Sequence, residues 1–150
     1  MKDGTNIYNL NFKKMKKASK FFLALMVIPF VFISCGNNIA KQLKEEMKTL
    51  KSQCPQDQGN GVTLTDVNFY EKEKVLEYVC SIAGMDSLDA SITILMKEAM
   101  VEALSSGVSI SEKISINTIM KTYDYRFRYI YNNLEGNKLC EIEITKSDLK

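Results

Sequence analysis

The chain contains no histidine and no tryptophan. The missing His removes the side chain that titrates near neutrality and the commonest protein metal ligand. An enzyme built on carboxylates or Cys is still open, but the odds of one are lower. The sequence holds no Gly-x-Ser-x-Gly turn, no glycine-rich phosphate loop and no paired-carboxylate motif. Its four Cys are widely spaced, without a Cys-x-x-Cys pair, which speaks against zinc. Asp57-Gln58-Gly59-Asn60-Gly61 has too few ligands for a calcium loop. No apolar run reaches the roughly 20 residues that a bilayer-spanning helix takes. A non-enzymatic protein with no cofactor and no metal is the expectation.

What is present is concentrated at the two ends of the charge scale. The formal net charge of +2 hides an asymmetry. Of the 20 basic residues, Lys2, Lys13, Lys14, Lys16, Lys17 and Lys20 precede Cys35, whereas Asp3 is the one acid there. That leaves 14 basic against 17 acidic residues from Cys35 onward, a charge of −3. An acidic body is a poor match for phosphates, so nucleic acid is not an expected partner. The basic cluster leads into an uninterrupted apolar stretch over residues 21–33, then Ser34-Cys35-Gly36. A basic segment, an apolar core too short to span a bilayer and a small residue at a cut site describe a signal peptide. Pro29 inside the core suits that better than a membrane helix. Met15 stands directly before the basic cluster and makes a better start than Met1.

Phe32-Ile33-Ser34-Cys35 resembles a bacterial lipobox. The resemblance implies cleavage before Cys35 and acylation of its thiol, with the membrane as one partner. Phe32 departs from the commoner Leu, and with Ser34 it looks like lipoproteins of the Bacteroidota. A secreted protein that uses Cys35 in a disulfide is the competing interpretation. Gly36 in place of Asp implies sorting to the outer membrane, and no acidic cluster after Cys35 suggests surface export, so a periplasm-facing location is expected. The organisation then comprises a signal peptide over residues 1–34, a lipidated tether over 35–38 and one domain over 39–150. The layout also resembles that of small lipoproteins of gut Bacteroidota.

Beyond the tether, Ile39, Leu43, Met47 and Leu50 recur at helical spacing and predict a helix over residues 39–53, stopped by Pro55. Residues 62–70 are rich in β-branched and aromatic side chains, and residues 75–82 alternate, with Leu76, Tyr78, Cys80 and Ile82 on one face; the two predict a hairpin. Residues 87–105 predict the strongest helix, with Leu88, Ile92, Leu95, Met96, Ala99, Met100 and Leu104 on its buried face and Gly107 at its end. Ser109 and Glu112 form a capping-box pattern ahead of a shorter helix over about 111–121. Residues 123–131 and 139–145 predict a second hairpin. The expected fold class is α+β: an antiparallel sheet of about four strands with helices on one face, in a loose αββ repeat. In outline this is similar to αββ-repeat periplasmic modules such as PepSY-like and inhibitor-type domains.

The candidate binding residues lie on the third long strand. Tyr123, Tyr125, Phe127, Tyr129 and Tyr131 share one face, and Arg126 and Arg128 the other. The aromatic row admits two interpretations, a platform for a glycan or small molecule and a core row packed under a helix. The two Arg can clasp an anion or pair across the strand with Glu141 and Glu143. Leu139 is expected with the Glu side chains, and Cys140, Ile142 and Ile144 with the Tyr rings. Three Cys remain after Cys35. A Cys80–Cys140 bridge, a bridge using Cys54, and buried free thiols all stay open. An envelope protein is the expected partner, held through the sheet.

Overall fold

The computed structural model describes residues 38–106 and 109–149. The expected signal peptide over residues 1–34, the expected lipidation site Cys35 and the expected helix stop at Gly107 lie outside them. Helix α1 spans Ile39–Ser52; Asn38 caps it, its side chain accepting from the Lys41 amide at 3.1 Å. A two-residue strand β1, Gln56–Asp57, precedes β2, Val62–Tyr70, and β3, Val75–Ile82. Helices α2, Ala90–Ser106, and α3, Ile110–Asn117, follow, and a π-helical turn, Thr118–Thr122, extends α3. Strands β4, Arg126–Asn133, and β5, Lys138–Ile144, close the chain.

The class is α+β, with a five-stranded sheet in the order β1-β2-β3-β4-β5. The sheet is mixed: the two hairpins are antiparallel, but β3 and β4 run parallel. This corrects the all-antiparallel expectation. A parallel neighbour requires a crossover of a dozen residues or more, and residues 83–125, with α2 and α3 among them, supply it. Strand β1 is the fifth member. With two residues it has no periodicity from which to be predicted.

One layer of helices packs on one face of this sheet. Ile39, Leu43 and Met47 of α1, Met96, Met100, Ala103 and Leu104 of α2, and Ile116, Ile119 and Met120 share a core with Leu64, Val67, Tyr78, Cys80, Tyr129 and Ile142. The rotation of α2 differs from the expectation. Ile92 and Leu95 are exposed and Met96 and Met100 are buried. Apolar residues occur nearly all round α2, so periodicity alone cannot choose its inner face. Contacts choose it: the Tyr131 hydroxyl donates to Met100 Sδ at 3.9 Å, and Lys97 reaches Asp148 at 2.9 Å.

Local chemistry sets the turns. Asn133 Oδ1 accepts the amides of Glu135 and Asn137, and Gly136 follows at φ +86°, where a Cβ would be strained. Ser109 and Glu112 close a reciprocal capping box on α3. At the β2 edge, Lys51 of α1 reaches around to Asp66 at 2.9 Å, to Asn68 Oδ1 at 2.8 Å and to the Val67 carbonyl at 3.3 Å. A lysine on an edge blocks further strand pairing.

Candidate interaction surfaces

The aromatic row lies inside. Tyr125, Phe127, Tyr129 and Tyr131 are buried, Tyr131 completely. Tyr129 stacks on Tyr78 with ring centroids 5.1 Å apart, and Tyr125 on Phe69 at 5.9 Å. Burial pushes the Tyr78, Tyr129 and Tyr131 phenols well above their ordinary range. Four rings enclosed in the core cannot serve as an open platform for a glycan, so the ligand-binding interpretation of this row is set aside. Tyr123 leaves the row altogether. Asp124 adopts φ +64°, which breaks the alternation, and β4 begins at Arg126. The Tyr123 carbonyl accepts from Lys74 Nζ at 2.9 Å, and the ring is exposed.

Arg126 and Arg128 occupy the opposite face, where their charges are matched within the sheet. Arg126 contacts Glu143 at 3.0 Å. Arg128 contacts Glu77 at 3.4 Å, Glu143 at 3.4 Å and Glu141 at 3.6 Å. Glu77 is buried and also accepts from Asn68 Nδ2 at 3.1 Å and the Tyr70 hydroxyl at 3.2 Å. Asn68, Glu77, Arg128 and Glu143 are register partners, one from each long strand. This ladder stitches four strands together, and an incoming anion would have to displace three carboxylates. Leu139, expected on this face, instead packs against the core. The β5 register slips beside Tyr131, which pairs with Cys140 while Asn132 pairs with Lys138, so Leu139 is an extra residue in a bulge.

All three described cysteines are free thiols. Cys80 and Cys140 each pair with Tyr131, from opposite sides of β4. Two strand spacings, roughly 9–10 Å, separate them, beyond the ~7 Å Cα limit for a disulfide. Burial pushes the Cys80 thiol up to about 12. Burial likewise raises Cys140, against a weaker pull from the Thr93 hydroxyl. These are thiols without the depressed pKa of a nucleophile. Among the described residues no group of three or more Cys, Asp or Glu is placed to hold a metal, and no helix is long and apolar enough to cross a membrane.

The surface that stands out includes Leu95, which the sequence pattern assigned to the core, and Ile94, Ile110 and Ile114, to which it gave no role. Ile94 of α2 is 61% exposed and Leu95 43%. On α3, Ile110 and Ile114 are 82% and 62% exposed and sit one turn apart. A groove of about 520 Å³ runs beside α2, lined by Ile94, Lys97, Glu98, Val101, Glu102, Ser105 and Asp148. Single aliphatic residues on a surface are ordinary; here Ile94 and Val101 line the groove, while Leu95, Ile110 and Ile114 are exposed outside its lining.

Residues 37–140 match the family described as "Domain of unknown function (DUF8479)". The chain belongs to this family. No curated protein matches its sequence. The DUF8479 fold is shared with the type II secretion system pilotin AspS from Vibrio cholerae, at TM-score 0.50 and 11% identity over 74% of this chain and 92% of that one. It is shared equally with a protein from Pseudomonas aeruginosa described as secreted, at TM-score 0.52 and 9% identity, again over 74% and 92%. At such identities the likeness establishes the fold and nothing further.

Proposed function

We propose that this DUF8479 protein is a lipid-anchored adaptor of the bacterial cell envelope, fixed by Cys35 to the periplasmic face of the outer membrane and docking a protein partner. The observation that carries the docking is the exposed aliphatic surface of α2 and α3, with Ile94, Leu95, Ile110 and Ile114 open to solvent. The anchor is supported by the basic segment, the apolar core and Ser34-Cys35. A diacylglyceryl group and an N-acyl chain bury dozens of CH₂ groups at about 0.8 kcal/mol each, so such an anchor is effectively permanent. The fold shared with a secretion-system pilotin supports a partner within an envelope assembly, by analogy of architecture alone. A binding rather than catalytic role is supported by the missing His and by the raised thiols.

The test is co-isolation from solubilised membranes, comparing the wild type with the double variant Ile94→Asp, Leu95→Asp. An envelope protein should accompany the wild type and be lost from the variant while the fold persists by circular dichroism. Identical companions for both proteins would refute docking through α2.

A further inference from the structure

The groove on α2 has a chemistry that narrows what can fill it. Ile94, Glu98, Val101 and Ser105 fall at i, i+4, i+7 and i+11, so they form one stripe along α2. The stripe is about 16 Å long at 1.5 Å per residue. Its two aliphatic residues flank a carboxylate. Lys97 lines the same groove, but its ammonium is held by Asp148 at 2.9 Å. Glu98 is therefore the charge that the middle of the stripe presents.

Building on the adaptor role, we propose that this groove takes an amphipathic helix of an envelope protein, with two aliphatic side chains about two turns apart against Ile94 and Val101 and a Lys or Arg between them against Glu98. Three other occupants fit less well. A β-strand needs free backbone groups to pair with, and a helix such as α2 has none along its length. A lipid surface selects helices whose polar side is rich in Lys and Arg, whereas the middle of this stripe offers Glu98 and, beside it, a Lys already paired. A second copy of this chain, joined across a two-fold axis, would set Glu98 near its own equivalent. A basic amphipathic helix places opposite charge on Glu98 and apolar surface on either side of it.

The test is site-specific photo-crosslinking in the full-length, membrane-anchored protein in its own cells. A benzophenone amino acid replaces Ile94, Val101 or, on the other face of the sheet, Tyr70. Positions 94 and 101 should crosslink to one segment of one protein, and sequencing should show that segment to be a basic amphipathic helix. Position 70 should stay silent. Glu98→Lys should lower the yield at position 101 by about tenfold, because like charges are then juxtaposed at a partly desolvated contact, while Glu98→Gln should fall between. Crosslinks from position 70 alone would overturn the groove and leave the adaptor role standing. Crosslinks from 94 and 101 to lipid, to a second copy, or to an acidic or extended segment would overturn the proposed occupant. No protein crosslink from any position would overturn both.

Discussion

Tyr129 and Cys80 are among the residues whose chemistry the fold alters. Each carries a polar atom into a core where its charged form is poorly solvated, so each stays neutral far above its usual range. The three buried phenols, Tyr78, Tyr129 and Tyr131, make the sign of the pH dependence clear. Their folded pKa values lie above the unfolded value near 10, so their contribution to stability is fully present below about pH 10 and is lost as pH rises beyond it. Unfolding should therefore begin on the alkaline side of pH ~10, with these phenolates appearing in the ultraviolet spectrum together with loss of structure. Their smooth ionisation at the ordinary value in a protein that stays folded would contradict their burial. Cys80 should resist iodoacetamide until the chain is unfolded, a difference that peptide mass mapping reads directly. Phe127→Ala, at a ring 1% exposed, should cost about 3–5 kcal/mol in denaturant unfolding.

At the scale of elements, α2 makes the sharpest contrast. Met100→Ala should cost about 2–5 kcal/mol, whereas Leu95→Ala should cost about 0.5 kcal/mol or less. The reverse order would restore the helix face that periodicity suggests. Arg128→Ala should cost about 1–3 kcal/mol, because it leaves the buried Glu77 carboxylate short of a partner. The contrast also shows what the sequence reveals and what it hides. The bounds of β2 and β3 are legible to the residue, because Val62 to Tyr70 is rich in β-branched and aromatic side chains, Val75 to Ile82 alternates, and the charged turn Glu71-Lys72-Glu73-Lys74 joins them; the β2 bulge between Leu64 and Asp66 is not. The burial of Tyr125, Phe127, Tyr129 and Tyr131 opposite Arg126 and Arg128 follows from the same period of two. Helix α2 is different: Ile92, Ile94, Leu95, Met96, Ala99, Met100 and Val101 make it apolar from several directions, and only the sheet decides which of them it covers. The parallel pairing of β3 with β4 depends on the path of the crossover, to which no single segment testifies. The Leu139 bulge and the departure of Tyr123 depend on single backbone conformations, such as Asp124 at φ +64°, that a binary pattern does not encode.

At the scale of the molecule, the parts assemble into a sheet with one face sealed by helices and the other knitted by a charge ladder. Its β2 edge is guarded by Lys51, and α2 and α3 leave Ile94, Leu95, Ile110 and Ile114 open to solvent among polar residues. Such a body has its own core and would be expected to fold without the N-terminal segment. Placing it in the envelope depends on that segment, because among the described residues no helix is long and apolar enough to cross a membrane. The proposed adaptor therefore stands or falls on Cys35. The most direct measurement is the intact mass and N-terminal sequence of the mature protein extracted from membranes. The account predicts a chain that starts at Cys35 and carries a diacylglyceryl group and an amide-linked acyl chain, with Cys35→Ala leaving an uncut, unlabelled precursor. A mature protein that begins elsewhere, or that begins at Cys35 without lipid, would contradict it.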